Sequence, residues 1–471
     1  MKKITLSAIS LFCAMSLFTG CSDDSSSDSI SKASSKEDEA SKELSANFTM
    51  LDVFYIYGHT RNEIAKSVDE YVGKGTKENS LGINNDERCS EEYYDVCYMY
   101  NKMKDPYTRY YDPISANAIF NMLTSSQEVF IKGIDAVPLI TEEKDCYTIT
   151  DVNDDAKKRG LQVNDIFCTE DIYDAIENNI DNVTIPVYRN KEFVDVTVAI
   201  EKANLPTVYL HYETNNKGDS IPVIQITSFA AETSDDSGTY GEFAKALQKT
   251  EKYKSLIIDL RKNGGGDTDH CYATTEEFLS KGDTIAINII TDYKEDNEKY
   301  YQTLDTIPIV TEKDGSAKDR YIVMLANEGS ASCAEIMLSS LAISKKAPIV
   351  GKTTYGKQIA QDVFITTEDI RNDKDTPDFF KELRGLSIIT TTAMYDKKWN
   401  LYHDLGIVPD FDIDDYTEQM KKAVELASEK TSTRVAGYGT EHLGHFAKTA
   451  ENSNRKESLK NMKLAYKLYK R

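Results

Sequence analysis

The order of apolar and polar positions divides the chain into stretches of different texture. Met1 to Cys21 opens with Lys2 and Lys3, is mostly apolar from Ile4 to Phe18, and closes on Thr19-Gly20-Cys21. A basic start, a short apolar run and small residues at the end mark an export signal. The run is too short and too polar for a membrane span. Ser22 to Glu43 is almost wholly Ser, Asp, Lys and Glu, which cannot bury a core and reads as a flexible tether, here carried to residue 47. Residues 48–127 read as a mainly helical module, with apolar and aromatic positions at Leu51, Val53, Phe54, Ile56, Tyr57, Ile64, Val68 and Tyr71. Its late Pro106 makes helix continuation difficult.

From 128 to 203 the texture turns to short β-like runs: Phe130 to Leu139, Cys146 to Val152, Asp165 to Cys168, Val183 to Tyr188 and Val194 to Ile200. Asp155 to Gly160 reads as one short helix among them, so this is a compact β-rich domain. Residues 204–430 form an α/β core. There Pro222 to Ile226 and Ser255 to Leu260 are buried strands flanking a helix from Gly238 to Leu247. Arg320 to Gln361 then reads strand, turn, helix, strand, turn: an apolar run Tyr321 to Ala326, a break at Asn327-Glu328-Gly329, and apolar Cys333, Ile336, Met337 and Leu341 on one helical face. A final helix is expected to reach Glu429, followed by a polar, basic-ended tail at 431–471 to which no function is assigned. The expected fold class is multidomain α/β.

Composition narrows the function. With 78 acidic against 56 basic residues in 471, a formal charge of −22 argues against nucleic-acid binding. No cofactor is implied, and no cysteine pair has the C-x-x-C spacing of a zinc site. Beyond Cys13 and Cys21, the cysteines are Cys89, Cys97, Cys146, Cys168, Cys271 and Cys333. Cys89 with Cys97, and Cys146 with Cys168, are plausible disulfides because each pair lies within one module. Cys271 and Cys333 either bridge or pack as buried thiols.

Candidate chemistry gathers at turns that an open α/β sheet would bring to the carboxyl edge of its strands. Ser332 stands at a helix N-terminus, where free N–H groups favour a developing oxyanion; the plain alternative is an N-cap. Lys357 would reach the same edge, and a lysine in an apolar site can act as a base toward a hydroxyl. Gly264-Gly265-Gly266 follow a strand and allow close backbone approach, yet the run lacks both phosphate-loop spacings. Ser330 reads as a turn residue. His270 lacks an assignable carboxylate partner, which ranks Ser–His chemistry below Ser–Lys.

In their order, these segments resemble the carboxy-terminal processing, or tail-specific, serine proteases. Asp259 to Gly266 matches D-L-R-x-N-x-G-G; Gly329 to Ile336 matches G-S-A-S-A-S-E-I; Gly351 to Gln361 matches G-x-x-T-x-G-K-G-x-x-Q. Asp105 to Pro113 is similar to the D-P-Y-T element and Gly406 to Asp410 to G-I-x-P-D. The resemblance implies a ClpP/crotonase-like protease core, with Ser332 as nucleophile, Lys357 as general base and Gln361 orienting the lysine. Backbone N–H groups of Gly265 or Gly266 and of Cys333 would form the oxyanion hole. Cys333, Ala334 and Gln358 depart from the pattern, and Cys333 and Gln358 are placed to reshape the site. The β-rich domain resembles a PDZ domain, with Ile131, Lys132, Gly133 and Ile134 in its carboxylate-binding loop and Ala156 to Phe167 similar to A-x-x-x-G-L-x-x-G-D-x-I. A structural β-module without ligand is the alternative. Met1 to Cys21 resembles a bacterial lipoprotein signal, which implies that Cys21 is a lipidation site and the protein an exported, membrane-anchored component of the cell envelope; an ordinary secretory signal in which Cys21 is incidental is the alternative. The implied partners are protein or peptide substrates, engaged through their C-termini. A catalytically silent peptide-binding scaffold is the rival expectation.

Overall fold

The computed structural model describes residues 32–56, 64–81, 89–103, 105–124, 128–140, 145–172, 181–235, 237–296, 299–367, 383–400 and 402–429. The expected export signal with Cys21 and the tail at 431–471 lie outside them. No helix among the described residues is long and apolar enough to cross a membrane.

The tether expected up to residue 47 is corrected from Lys32 onward, where a helix, Lys32–Phe54, begins. Leu44, Met50 and Leu51 are buried with Met99, Tyr100, Tyr110, Phe364 and Ile389, and Phe48 packs against them. Positions 44, 48 and 51 share one helical face, while Ser41, Lys42 and Ser45 point to solvent. The helix Tyr94–Lys102 follows, bonded through its Cys97 to Cys89. Strand β1 (Arg109–Tyr111) comes next, and then the helix Pro113–Thr124. Asp112 caps that helix by accepting the Ser115 N–H, with proline at the first position where no N–H is needed.

A six-stranded antiparallel sheet forms the β-rich domain. Its strands are β2 (Glu128–Ile131), β3 (Ile134–Ile140), β4 (Asp145–Val152), β5 (Ile166–Cys168), β6 (Asn182–Arg189) and β7 (Glu192–Ala203), in the order β2-β7-β6-β5-β4-β3. Phe130, Ile149, Phe167, Ile185 and Val198 fill its core. Cys146 and Cys168 are disulfide-bonded across β4 and β5. The run expected from Phe130 to Leu139 is two strands, split at Lys132-Gly133, where Gly133 takes φ +81°. The Lys132 N–H is committed to Ala199 O at 2.8 Å, and Ile131 is buried in the domain core.

The core sheet contains β8 (Val208–Thr214), β9 (Ser220–Ile226), β10 (Ser255–Asp259), β13 (Tyr321–Ala326), β14 (Ile349–Gly351) and β17 (Phe411–Asp412), ordered β17-β14-β13-β10-β9-β8. All neighbours but β8 and β9 are parallel. These strands are continuously apolar because both faces are covered. Ile224, Ile258 and Met324 face the helices Gly238–Lys249 and Cys333–Lys345. Val223, Ile257 and Val323 face Ala423, Val424 and Ala427 of the helix Tyr416–Glu429. Each such side chain removed from water contributes about 2 kcal/mol.

A further sheet, absent from the sequence reading, stands beside this core. It joins β11 (Thr284–Asp296), β12 (Lys299–Val310), β15 (Ile359–Thr367) and β16 (Leu383–Tyr395) in antiparallel pairing, and β1 adds to it through β16. The amino-terminal module is therefore bonded into the core by backbone as well as side chains.

Candidate active site

Strand β13 delivers the chain to a turn held from several sides. Asn327 Oδ1 accepts N–H bonds from Lys262 and Gly329, and the Ser330 hydroxyl donates to Leu260 O. Ser330 thus serves the turn. Ala331 N–H donates to Asn263 O at 2.9 Å, tying this turn to the glycine run that follows β10. Ser332 comes next with φ 54° and ψ −116°, a conformation that costs of order 1–3 kcal/mol for a residue with a side chain. It immediately precedes the helix Cys333–Lys345, so the Cys333 N–H belongs to the first turn, whose donors lack helical acceptors.

The glycine run closes over this serine. A Cβ on Gly265 would lie 2.7 Å from Ser332 Cβ, and one on Gly266 would lie 2.0 Å from Phe229 O, so neither position tolerates a side chain. The expected oxyanion donors are narrowed at one point. Gly265 N–H already donates to Asn263 Oδ1 at 2.8 Å, because the tight turn needs that bond. Gly265 supplies the close approach to Ser332, which leaves the N–H groups of Gly266 and Cys333 among the expected donors. The Cys333 side chain is buried beneath the loop, with Sγ 3.4 Å from Gly266 O. Cys271 and Cys333 are both free buried thiols. His270 is turned elsewhere, its Nδ1 accepting the Tyr240 N–H.

Strand β14 leads to the lysine turn. Tyr355 N–H donates to Ser330 O, and Ile407 N–H to Thr354 Oγ1, which seats this turn between the serine turn and the Gly406-Ile407 segment. Lys357 Nζ donates to Gln361 Oε1 at 3.0 Å and lies 5.1 Å from the Tyr107 ring centroid. Burial pushes its proton affinity below that of an ordinary lysine, with Cys333, Asp105 and Glu335 pulling the other way. Gln358 does not reshape the site as expected. Its Nε2 donates to Asn400 O and its Oε1 accepts the His403 N–H, so it braces the neighbouring loop.

One organising residue escaped the sequence reading. Glu335 is fully buried, and its Oε2 accepts the N–H groups of Ser332 (2.9 Å) and Lys357 (2.8 Å). Its Oε1 accepts the Gly356 N–H at 2.7 Å and the Thr354 hydroxyl. Burial raises its pKa to about 7 against those four bonds. The signal was legible: Ser332 followed three residues later by a glutamate is the capping-box spacing. Among the described residues no hydrogen bond joins Ser332 Oγ to Lys357 Nζ directly; their backbones share Glu335. Such catalytic contacts often tighten only when substrate arrives. The described residues also contain no cluster of three or more His, Cys, Asp or Glu side chains able to hold a metal.

Comparison with known proteins places this core. Residues 220–413 match Peptidase family S41. A protein of Staphylococcus haemolyticus named "Probable CtpA-like serine protease" is 28% identical over 313 residues, 64% of this chain and 58% of that protein. One of the same name from Staphylococcus aureus is 28% identical over 337 residues, 67% of this chain and again 58% of the relative. The chain therefore spans somewhat under two thirds of the length of these relatives. A solved photosystem II D1 C-terminal processing protease aligns with a TM-score of 0.48 at 15% identity, over 82% of this chain and 94% of that one. Residues 220–413, which hold the serine turn, the glycine run and the lysine turn, are thus the part of the chain that is similar to Peptidase family S41.

Proposed function

We propose that the chain is a serine endopeptidase working through Ser332 and Lys357. Neutral Lys357 takes the hydroxyl proton as Ser332 Oγ bonds to the scissile carbonyl carbon, and the N–H groups of Gly266 and Cys333 meet the oxyanion. Collapse breaks the C–N bond, the departing amine takes the proton from Lys357, and an acyl-serine remains. Water, giving a proton to Lys357, then attacks the ester and releases the carboxylic acid with Ser332 restored. The observation that carries this reading is that Glu335 holds the backbones of a strained serine and of a lysine of lowered proton affinity together at one edge of a parallel sheet, with the glycine run against the serine.

The substrates are proteins or peptides, delivered by their C-termini to the β-rich domain. In support, β3 ends that domain's sheet and pairs with β4 on one side, leaving the arrangement by which an extended peptide adds as a strand. The committed Lys132 N–H leaves Gly133 and Ile134 as the carboxylate contacts. Cys21 carries the lipid that holds the enzyme to the cell-envelope membrane after export. The test uses the full-length protein and a panel of peptides with free or amidated C-termini. Cleavage by wild type, lost in Ser332→Ala and weakened by amidation, is expected. Cleavage that persists in Ser332→Ala overturns the assignment. Cys21→Ala should move the protein from membranes to the soluble envelope fraction, and retention on membranes contradicts the lipid anchor.

A further inference from the structure

Gln361, which holds Lys357, is itself held, and the chain of bonds behind it leaves the S41 segment altogether. Gln361 on β15 lies opposite Thr390 on β16, at a bulge where Ala360 pairs with Thr392 and Gln361 with Thr390. Gln361 Nε2 reaches Thr390 Oγ1 at 3.4 Å. The Thr390 hydroxyl donates to Asp105 Oδ2 at 2.9 Å. Asp105 belongs to the Asp105-Pro106-Tyr107-Thr108 loop of the amino-terminal module and is fully buried. Its carboxylate also accepts the Thr108 hydroxyl at 2.6 Å and the Tyr107 N–H at 2.9 Å. The Thr390 N–H in turn donates to Thr108 Oγ1 at 3.0 Å.

The direction of these bonds follows from counting hydrogens. Burial raises the proton affinity of the Asp105 carboxyl, and the bonds from Thr108, Tyr107 and Thr390 oppose it; in its ionised form it only accepts, and a threonine hydroxyl has one hydrogen. Once Thr390 gives that hydrogen to Asp105, its oxygen can only accept from Gln361. The Gln361 amide must then present its NH2 to Thr390 and its carbonyl oxygen to Lys357. An amide turned the other way would set two acceptors, Oε1 and the Thr390 oxygen, against each other.

We propose that Asp105 is a positioning residue for Lys357, acting through Thr390 and Gln361 to fix the amide that receives the lysine N–H. The role rests on Lys357 being the base. A neutral lysine keeps two N–H groups and one lone pair, and a fixed acceptor on one N–H limits the directions left for the lone pair. The same loop supplies the Tyr107 ring beside Nζ, so the amino-terminal module completes a site that the family segment leaves unfinished. The ionisable groups that bear on Lys357 are Asp105, Glu335 and Cys333, with Tyr107 across the ammonium and Tyr355 bonded to the Tyr107 hydroxyl.

Asp105→Asn keeps the shape, removes the charge and adds an NH2 that can donate to Thr390. Its kcat on a model peptide should fall at least about tenfold with KM little changed, and the acid limb of the kcat/KM–pH profile should move to lower pH. That shift reports the lost Asp105 charge beside Lys357, and the Thr390 variants, which keep the charge, report the positioning. Thr390→Val should reproduce the kcat loss, Thr390→Ser should restore most of the rate, and the double variant Asp105→Asn/Thr390→Val should lose little more than either alone. Wild-type kcat and a superposable pH profile in Asp105→Asn overturn the proposal while leaving the Ser332–Lys357 reading intact. Should Asp105→Asn fail to fold, wild-type kcat in Thr390→Val overturns it instead. An inactive wild-type enzyme defeats the Ser332–Lys357 reading itself, and this inference with it.

Discussion

The Glu335 carboxylate gathers the N–H groups of Ser332, Gly356 and Lys357 and the hydroxyl of Thr354 onto two oxygens. In Glu335→Gln an NH2 must face some of those donors, at a cost of roughly 1–3 kcal/mol for each donor left unmet. Chemical denaturation at neutral pH should show a loss of that size, together with lost peptide cleavage. Unchanged stability would mean that the four bonds are not made. Gly265 makes a sharper test because the prediction separates activity from folding. Gly265→Ala puts a methyl 2.7 Å from Ser332 Cβ, at a backbone φ of +101° that side chains avoid. Activity should fall by two orders of magnitude or more with the far-UV spectrum unchanged. Both residues stood in the sequence motifs: the glycine announced its close approach there, and the glutamate's spacing announced only the cap on the serine helix. The glutamate's role depends on the lysine turn folding back onto the serine helix, and spacing within one motif does not report that contact.

Among the elements, the helix Lys32–Phe54 is the instructive case. Its charged composition suggested a tether, yet Asn47 is fully buried within it, donating to Glu43 and accepting from the Tyr100 and Ser387 hydroxyls. These bonds join that helix, the helix Tyr94–Lys102 and strand β16. Asn47→Ala removes the acceptor of both hydroxyls and should destabilise the protein by about 2–4 kcal/mol in denaturant titration. A residue in a flexible tether would show no change. The parallel strands β9, β10 and β13 were readable because burial on both faces leaves unbroken apolar runs. The long strands β11, β12, β15 and β16 were missed for the opposite reason. Runs such as Lys299–Val310 mix charged, polar and apolar residues, and only pairing with a neighbour explains the pattern. Gln361 and Thr390 ride on those missed strands, so their meeting could not be read from sequence even though Gln361 itself was.

Taken whole, the molecule assembles its site from distant parts of the chain: the Asp105–Thr108 loop, the glycine run after β10, the serine turn after β13 and the lysine turn after β14. Strand β1 fixes the first of these by pairing Arg109, Tyr110 and Tyr111 with Ile388, Ser387 and Leu386 of β16. Arg261 fixes another face, bonding in its buried position to Asp259 and, on the helix Tyr416–Glu429, to Tyr416 O and Gln419 Oε1. Motif order made the family segment legible; the packing of the amino-terminal module against it was not, because nothing local encodes it. The central claim remains that a neutral Lys357 activates Ser332. Burial lowers the lysine's proton affinity, and protonation removes the base, so activity must fall as pH drops through its pKa. The most direct measurement is fluorophosphonate labelling of the full-length protein across pH, read by peptide mass. The account predicts an adduct on Ser332, formed more slowly as pH falls and absent from Lys357→Arg, whose guanidinium stays protonated. An adduct on another residue, or wild-type labelling of the arginine variant, would contradict it.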